Sequence, residues 1–596
     1  LHANKVNDTT FEITADESAP AGPCELRVLT AGGLSAPRRF VITPLPQVIE
    51  SKAETAAENP LPVTIPCVIV GQFESAADVD DFTVEAKAGE PILLIAEALS
   101  LDESIVPILT ILGADGRELQ HSPGHRQEPV RVFNPPSDGR FTIRVQERAY
   151  NKGTGSGYRL TVSSQPRLLS VFPSFVERGK EAQVTLLGFQ LPGGVATPIP
   201  GAPWILQKRV TLPALTTPDS DGGAWLTSSK STLEGVRYRV DGIDGSVRIG
   251  LLPRLVITEE EHPTDANGKA TAQKLPLPAL VAGRFLTQND FDRYRITAKK
   301  DQVLTIEAFG DRWGAEMMDT EISIHDSKGK LLKTFSDIAD PKGQPAGFSL
   351  ASLDAGDHWK APADGDYDIV VRDLFAGSVY GIDRSYLLSV GPVQPDFEVF
   401  AVPHNAKTPV GMSVPSNGHA LFDLVAVRRG SFTGPIRIGP QPASNKTTEA
   451  PLLTSAEVWI AENGLSGIGS MTSHPHDDRS TGNDIAELKL LAESQISGKQ
   501  VTKEVHAATI IGGGNPLVSR RTDRLVVGRL APEPIRVDVA AETVAIQPGS
   551  WLRAEVTVTT APQASLNNDA KLTWTGWPAK SKLDAVALPK DAPTTL

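Results

Sequence analysis

Two pairs of aspartates open similar stretches of this sequence and are its strongest candidates for a functional site. Asp78 and Asp80 lie in DVDDFTVEAK, and Asp290 and Asp292 lie in DFDRYRITAK. Each pair comes just before a pattern that alternates apolar and polar residues, which predicts a β-strand. Residues two apart at a strand entry can project toward one loop region. Carboxylate oxygens are the ligands that Ca²⁺ prefers, six to eight at a time.

Further oxygen donors precede both pairs. The upstream segments carry Glu50, Glu54, Glu58 and Asn59 in one case, and Glu259, Glu260, Glu261, Asp265 and Asn267 in the other. The calcium candidates drawn from both segments and pairs are Asp78, Asp80, Glu54, Asp290, Asp292, Glu261 and Asp265. Asp80 or Asp292 can instead accept turn hydrogen bonds, and we weigh that structural role above calcium. No cofactor is therefore required, and Ca²⁺ is the one candidate.

Signals of catalysis are weak along the chain. GLSGIG (464–469) approaches a nucleophile elbow, but its glycine spacing is wrong and no helix follows, so Ser466 reads as a turn residue. The loop SHPHDDRSTG holds His474, His476, Asp477 and Asp478, which could ligate a transition metal. A solvated hairpin loop is the better interpretation. HExxH and P-loop motifs are absent from the sequence. We predict no catalytic residue and no enzyme activity.

Tryptophans are the candidates for recognition of a polysaccharide or protein ligand. Trp204, Trp225, Trp313 and Trp359 fall in strand or loop segments. Core packing is the default for a Trp in a β-sandwich. Trp313 is the candidate for exposure, because it lies in GDRWGAEMMD, a loop without a counterpart in the earlier half of the chain.

Composition limits the classes of function. The 596 residues carry a net charge of −13, which argues against a nucleic-acid partner. No apolar run approaches a membrane span. Cys24 and Cys67 are the only thiols, and two separate buried thiols are favoured over a disulfide. The chain begins without Met or a leader, and we expect an excerpt of a longer polypeptide with neighbouring domains on either side.

The aspartate pairs belong to an internal repeat of four blocks. Residues 68–98 match 280–310, 109–119 match 322–332, 133–150 match 359–376, and 157–162 match 385–390. The blocks read as short strands joined by turns such as GADG, DSKG, PSDG and PADG. Each repeat therefore predicts an antiparallel sandwich of about eight strands.

This constellation resembles the bacterial pre-peptidase C-terminal (PPC) domain. The carriers are Gly71 to Phe82 and Gly283 to Tyr294, the two hairpin glycines Gly116 and Gly329, the P-x-DG turns, and the closing Y-x-L-x-V. The resemblance implies a non-catalytic, jelly-roll-like sandwich attached to exported bacterial proteins. In similar domains of clostridial-type collagenases, Ca²⁺ binds through a Glu-rich linker and neighbouring aspartates.

The other segments resemble immunoglobulin-like modules. LLSVFPSFVERGKEAQVTLLGFQL is similar to the start of an IPT/TIG domain, residues 11–43 are similar to its second half, and residues 395–439 are similar to the start of a bacterial Ig-like domain. We predict six domains in chain order: IPT/TIG-like 1–45, PPC-like 46–166, IPT/TIG-like 167–258, PPC-like 259–393, Ig-like 394–531 and a further Ig-like 532–596.

These patterns predict an all-β chain of tandem β-sandwiches, arranged as beads on a string. The predicted function is that of a non-catalytic segment of an exported bacterial protein, serving surface presentation, spacing or adhesion to an extracellular protein or polysaccharide. The alternative is an accessory region of a secreted hydrolase whose catalytic domain lies elsewhere. The resemblance implies an extracellular, cell-surface or periplasmic location.

Overall fold

The structure is a computed structural model, and it describes most of the chain. The described residues are 2–7, 10–19, 21–50, 59–122, 128–150, 155–197, 199, 203–216, 233–261, 271–315, 317–339, 348–349, 351–404, 406, 408–441, 452–474, 484–512, 518–522, 524–532, 535–539, 556–560, 571–572, 586–587 and 594–595. Within them the fold is all-β, as the sequence predicted. Two compact units divide the chain. The first is Leu1–Leu26, Pro37–Pro341 and Ser349–Gln394, and the second is Arg27–Ala36, Lys342–Phe348 and Pro395–Leu596.

The N-terminal segment contributes short pairs of strands. They are β1 (His2–Lys5), β2 (Phe11–Thr14), β3 (Gly22–Leu26), β4 (Leu29–Thr30), β5 (Gly33–Leu34) and β6 (Arg38–Ile42). β1 pairs with β2 and β3 pairs with β6 in the first unit, whereas β4 pairs with β5 in the second unit.

The first sandwich has two five-stranded sheets. Its strands are β7 (Gln47–Ile49), β8 (Leu61–Pro62), β9 (Cys67–Gln72), β10 (Val79–Ala86), β11 (Ile92–Glu97), β12 (Pro107–Leu112), β13 (Glu118–His121), β14 (Val130–Phe133), β15 (Gly139–Glu147) and β16 (Gly157–Ser163). The strand orders are β13-β12-β15-β10-β8 and β14-β11-β16-β9-β7. Alternation in β15 turns Phe141, Ile143 and Val145 inward, which is the pattern that predicted the strand.

The middle sandwich is smaller. It contains β17 (Arg167–Phe172), β18 (Phe175–Glu177), β19 (Ala182–Phe189), β20 (Val195–Ala196), β21 (Ile205–Leu212), β22 (Gly235–Tyr238) and β23 (Val247–Leu252). The strand orders are β17-β19-β21-β20 and β18-β23-β22.

The second large sandwich repeats the strand order of the first. Its strands are β24 (Ile257–Thr258), β25 (Gln273–Lys274), β26 (Ala279–Arg284), β27 (Phe291–Ala298), β28 (Val303–Phe309), β29 (Thr320–Asp326), β30 (Leu331–Phe335), β31 (Asp337–Ile338), β32 (Ser352–Lys360), β33 (Gly365–Asp373) and β34 (Ser385–Pro392). The orders are β30-β29-β33-β27-β25 and β31-β32-β28-β34-β26-β24. Short 3₁₀ turns occur at Leu99–Leu101 and Asp311–Trp313.

Parallel edge strands are a departure from the predicted antiparallel sandwich. β7 runs parallel to β9 and β8 parallel to β10, and β24 and β25 repeat this arrangement against β26 and β27. The segments that precede each repeat therefore add one edge strand to each sheet. The other strands number eight in the first sandwich, as predicted, and nine in the second, where β31 is additional.

Buried clusters join the sandwiches of the first unit. Phe175 and Leu252 of the middle sandwich pack with Leu280, Phe309 and Trp313 of the second. A smaller cluster places Leu93 and Ile95 of the first sandwich against Phe189 of the middle one. The tandem sandwiches of this unit are therefore packed against their neighbours along the chain.

The second unit contains the remaining sheets. Its later strands are β35 (Asp396–Pro403), β36 (Met412–Pro415), β37 (His419–Arg429), β38 (Ile436–Pro440), β39 (Leu453–Ser455), β40 (Val458–Ile460), β41 (Ser466–Ser473), β42 (Asp484–Glu487), β43 (Leu490–Ile496), β44 (Lys499–Glu504), β45 (His506–Gly512), β46 (Val518–Thr522), β47 (Val526–Leu530), β48 (Ile535–Val539), β49 (Val556–Thr560), β50 (Lys571–Leu572), β51 (Val586–Ala587) and β52 (Thr594–Thr595). The largest sheet has the order β39-β41-β37-β35-β45-β46. The six domain boundaries stay predictions.

Candidate functional site

The two aspartates of each pair have different environments. Asp78 accepts backbone N–H groups of Glu74 and Ser75 at 2.7 and 3.3 Å. Asp290 repeats this contact with the N–H groups of Leu286 and Thr287 at 2.7 and 3.2 Å. The first carboxylate of each pair therefore closes the turn that leads into the strand. The sequence assigned this role to Asp80 and Asp292, and that assignment was wrong, because these two accept from tyrosine hydroxyls inside the sandwich.

The second aspartate of each pair points into its sandwich. Asp292 lies in β27, where alternation turns Asp292 and Tyr294 inward and Phe291 and Arg293 outward. Asp80 takes the same place in β10 and is 1% exposed, while Asp292 is 6% exposed. A buried carboxyl group must find hydrogen-bond partners, and a tyrosine provides one in each sandwich.

The tyrosine partners come from the last strand of each sandwich. The Tyr158 hydroxyl donates to Asp80 Oδ2 at 2.7 Å, and the Tyr386 hydroxyl donates to Asp292 Oδ2 at 2.6 Å. These tyrosines open the Y-x-L-x-V block that closes each repeat. The sequence contained this signal, because both tyrosines recur at one place in the repeat, but the pattern did not indicate what they contact.

A glutamate that directly follows the parallel edge strand completes each cluster. The backbone N–H of Gln72 donates to Glu50 Oε2 at 2.8 Å, and the backbone N–H of Arg284 donates to Glu259 Oε2 at the same distance. Each glutamate is also hydrogen bonded to the buried aspartate of its sandwich. We call Glu50, Asp80 and Tyr158 the first latch, and Glu259, Asp292 and Tyr386 the second latch.

Burial controls the protonation of both latches. Burial, together with the adjacent charges of Glu50 and Asp78, raises the pKa of Asp80 to about 8 against the opposing hydrogen bond from Tyr158. Burial likewise raises the pKa of Asp292 to about 8. The pKa of Glu259 is raised well above its usual value by burial and by the neighbouring Asp292 and Glu261. Two carboxyl groups in contact cannot both ionise cheaply, so each latch holds a proton at neutral pH.

A glycine makes room for each tyrosine. A Cβ at Gly71 would lie 2.4 Å from Tyr158 Oη, and one at Gly283 would lie 2.5 Å from Tyr386 Oη. A side chain at either position would displace the ring that holds the buried aspartate. This close approach explains why Gly71 and Gly283 begin the repeated motif.

The two latches differ in the residues around them. The Tyr294 hydroxyl lies 2.7 Å from the Tyr386 hydroxyl in the second sandwich, where the first sandwich has Phe82. Arg284 Nε lies 3.5 Å from Glu261 and 3.7 Å from Glu259. The second latch therefore has an additional donor and a nearby cation.

The remaining calcium candidates divide into two groups. Glu261 lies beside the second latch, whereas Glu54 and Asp265 fall outside the described residues. The oxygen donors of the latches suit Ca²⁺ chemically. Among the residues that the structure describes, however, no group of three His, Cys, Asp or Glu is placed to hold a metal ion. The raised pKa values of Asp80 and Asp292 mean that each cluster holds a proton at neutral pH, and this proton competes with a cation.

The other sequence candidates have structural environments. Ser466 is the first residue of β41 and pairs with Val425 in the largest sheet of the second unit, so its assignment to a turn was wrong. His474 Nε2 lies 2.8 Å from the Thr454 hydroxyl, while His476, Asp477 and Asp478 fall outside the described residues. Cys24 and Cys67 are both free thiols. In the described part of the chain, no helix is long and apolar enough to cross a membrane.

The tryptophans are mainly packing residues. Trp359 is buried and packs edge-on against Tyr367, as Phe133 packs against Phe141 in the first sandwich. Trp313 is 6% exposed, so the expectation of an exposed loop Trp was wrong. It is covered by Phe175 of the middle sandwich, with ring centroids 4.4 Å apart. Trp204 packs on the cluster around Phe189, and Trp225 falls outside the described residues.

Comparisons with known proteins give low structural similarity. No family model matches the chain, and no curated protein matches it. The pre-peptidase C-terminal domain of a collagenase from Bacillus anthracis is similar at 14% identity, over 22% of this chain and 99% of that one, with a TM-score of 0.15.

Two larger structures are also similar. They are the M60 catalytic domain with two CBM51 domains of Clostridium perfringens ZmpB, at 9% identity over 53% of this chain and 33% of that one (TM-score 0.13), and native Escherichia coli α-2-macroglobulin, at 10% identity over 85% and 33% (TM-score 0.12). The chain thus spans about a third of these two proteins. At these TM-scores no functional assignment follows.

Proposed function

We propose that this chain is a non-catalytic segment of an exported bacterial protein, and that its sandwiches hold neighbouring parts of the polypeptide at a fixed spacing. The observation that supports the proposal is the packed joint between sandwiches in the first unit. Phe175 and Leu252 face Leu280, Phe309 and Trp313 in one buried cluster. Burial of apolar surface across a joint opposes free rotation of the modules it connects.

Directional contacts support the same joint. The Arg248 guanidinium lies 4.4 Å from the centroid of the Trp313 ring, and the Ser170 hydroxyl donates to the Ile382 carbonyl at 2.5 Å. Arg312, next to Trp313, is buried and bonded to Asp354 and Glu307 at 2.8 and 2.7 Å. The Trp313 turn is therefore held firmly by its own sandwich while its ring contacts the next one.

A distance measurement tests fixed spacing. Lys87 and Lys299 occupy equivalent exposed positions of the two large sandwiches. Each is replaced by cysteine, and a spin label is attached to the new thiol. Cys24→Ser removes the half-buried native thiol, and Cys67 is fully buried with a pKa raised by burial to about 11, so it resists labelling. We expect pulsed electron paramagnetic resonance to give one narrow distance distribution in the whole chain. A broad distribution would mean freely jointed modules and would overturn the spacing role.

Calcium binding at the latches is a second part of the proposal. The two glutamates lie at the ends of edge strands that precede each sandwich, so a cation held there would fasten the entry of the chain to the sandwich. What supports it is the donor chemistry alone, namely several carboxyl groups around each buried aspartate. The location at a cell surface or in a periplasm also belongs to this proposal.

A further inference from the structure

A cavity of about 710 Å³ opens within the first unit. Its walls come from the N-terminal segment, the first sandwich, the middle sandwich and two loops of the second large sandwich. Ligand sites in proteins commonly have volumes of about 300–1,000 Å³ and lie where domains meet. The cavity therefore has the size and the place of a ligand site, although no sequence motif marked it.

Arginines are the most numerous charged side chains that line this cavity. Those that line it are Arg39, Arg159, Arg167, Arg239, Arg248 and Arg384. The carboxylates that line it are Glu97, Glu128, Asp244 and Asp383. Two of the arginines also pair with carboxylates behind the wall, Arg39 with Asp102 and Arg384 with Asp373, so the charged groups at the cavity balance. Attraction of an anionic ligand therefore depends on an arginine of the wall that none of these carboxylates pairs.

Most of these arginines are held in place by the protein. Arg159 is ion-paired with Glu97, and Arg167 with Asp244. Arg39 donates to the Ser100 carbonyl at 3.0 Å. Such contacts fix the guanidinium groups on the cavity wall before any ligand arrives, which lowers the entropic cost of binding.

Arg239 is different. It lines the cavity, is half-buried, and forms no hydrogen bond or ion pair with any residue that the structure describes. A Cβ added at Gly22 would lie 3.0 Å from Arg239 Nη2, so the guanidinium lies close to this glycine of the wall. A guanidinium whose N–H groups make no hydrogen bond to the described residues suits a carboxylate, because it can donate two parallel hydrogen bonds to it.

The rest of the wall indicates what carries the carboxylates. Leu99, Leu101 and Ile243 provide aliphatic surface, and none of the described residues that line the cavity is aromatic. A sugar ring would lack the aromatic face on which pyranoses usually stack, whereas a peptide needs only aliphatic contacts and polar groups.

We propose that this cavity binds a short acidic peptide segment of a partner protein, with Arg239 as the residue that binds its carboxylate. The inference goes beyond the spacing role, and each can fail without the other, since one is measured as an affinity and the other as a distance.

Calorimetric titration of the whole chain with a capped tetraglutamate peptide tests the proposal. We expect saturable binding at low ionic strength that weakens as salt is added. Arg239→Ala should weaken binding about tenfold, because a charge-assisted hydrogen-bond pair is lost. The affinity of Arg239→Lys should fall between those of the parent and of Arg239→Ala, because lysine keeps the charge but lacks the planar guanidinium. Since Arg239 makes no bond to the described chain, neither substitution should change the melting temperature of the protein.

Arg140→Ala is the matched control. Arg140 is exposed on the first sandwich, pairs with Glu85 at 3.0 Å and lies outside the cavity, so its loss should leave the affinity unchanged. Absence of saturable binding, equal binding of tetraglutamine, or equal affinity of the Arg239→Ala variant would each overturn the proposal. Tighter binding of trigalacturonate than of tetraglutamate would also overturn it, and would assign the cavity to an anionic saccharide.

Discussion

At the scale of single residues, the latches couple the stability of each large sandwich to pH. The pKa of Asp292 is raised to about 8 in the folded chain, mainly by burial, whereas an unfolded aspartate titrates near a pKa of about 3.9. The folded state therefore binds more protons between these two values. Stability from this group is complete below about pH 4 and is lost as the pH rises through about 8. The same sign holds for Asp80.

Asp292→Asn tests this coupling. Asparagine stays neutral at every pH, can accept the Tyr386 hydroxyl, and can donate to Glu259 where the shared proton was. We expect the parent to lose stability from pH 5 to pH 9, and the variant to be more stable than the parent at pH 9 by about 2–4 kcal/mol. Calorimetric melts across this pH range measure the difference.

Asp337→Asn is the control for that experiment. Asp337 lies exposed on an edge strand of the same sandwich, so its replacement removes a charge without touching the latch. Its melting profile should follow that of the parent. An Asp292→Asn profile that runs parallel to the parent at all pH values would show that the buried carboxyl is already ionised, which contradicts the raised pKa of Asp292.

The residue scale also shows how far the sequence could predict the site. The repeat identified Asp80 and Asp292 because both recur at the same strand entry, and alternation along the strand places them inward. The tyrosine partners are far away in sequence, Tyr158 from Asp80 and Tyr386 from Asp292, on strands brought together only by the folded sheet order. Contacts between residues so far apart in sequence depend on the topology of the sheets. The sequence therefore identified the two aspartates but not the tyrosines that donate hydrogen bonds to them.

At the scale of elements, the edge strands and the Trp313 turn are what the sequence pattern missed. β7 and β24 are three and two residues long, too short for an alternating pattern, and they form by pairing in parallel with a neighbour. Longer strands of the repeated blocks were predictable, such as β27, where burial alternates over eight residues. Burial of Trp313 needs a second module, so no local pattern could predict it.

Trp313→Ala tests the role of this turn as a joint. The substitution removes a ring that is 6% exposed and contacts Phe175 and Arg248 of the middle sandwich. We expect the packing free energy between the middle and the second large sandwich to fall by about 3–5 kcal/mol. The Lys87-to-Lys299 distance distribution should then broaden. Trp359→Phe is the control, because Trp359 is buried within one sandwich and Phe133 occupies its equivalent place. An unchanged distribution in Trp313→Ala would exclude the turn as the determinant of spacing.

At the scale of the whole molecule, the first and second latches lie in sandwiches of the same strand order. The chain therefore has two equivalent clusters, and both respond to protons and to divalent cations. At low pH each latch keeps its proton. Above a pH of about 8 Asp80 and Asp292 ionise, and their negative charge adds to a net charge of −13. A divalent cation can then replace the proton, so calcium and pH act on the same groups.

Melts in millimolar Ca²⁺ against chelator, at pH 5 and pH 9, follow from this competition. A ligand that binds only the folded state raises its melting temperature, and the carboxylates are available to Ca²⁺ only after the shared proton leaves. We expect no shift at pH 5 and a rise at pH 9, reduced in Asp80→Asn and in Asp292→Asn, and abolished when both are combined. Equal rises at both pH values would place calcium elsewhere on this acidic chain. No rise at pH 9 would leave the latches as proton-holding pairs, with the glutamates that follow β7 and β24 fastened by hydrogen bonds alone.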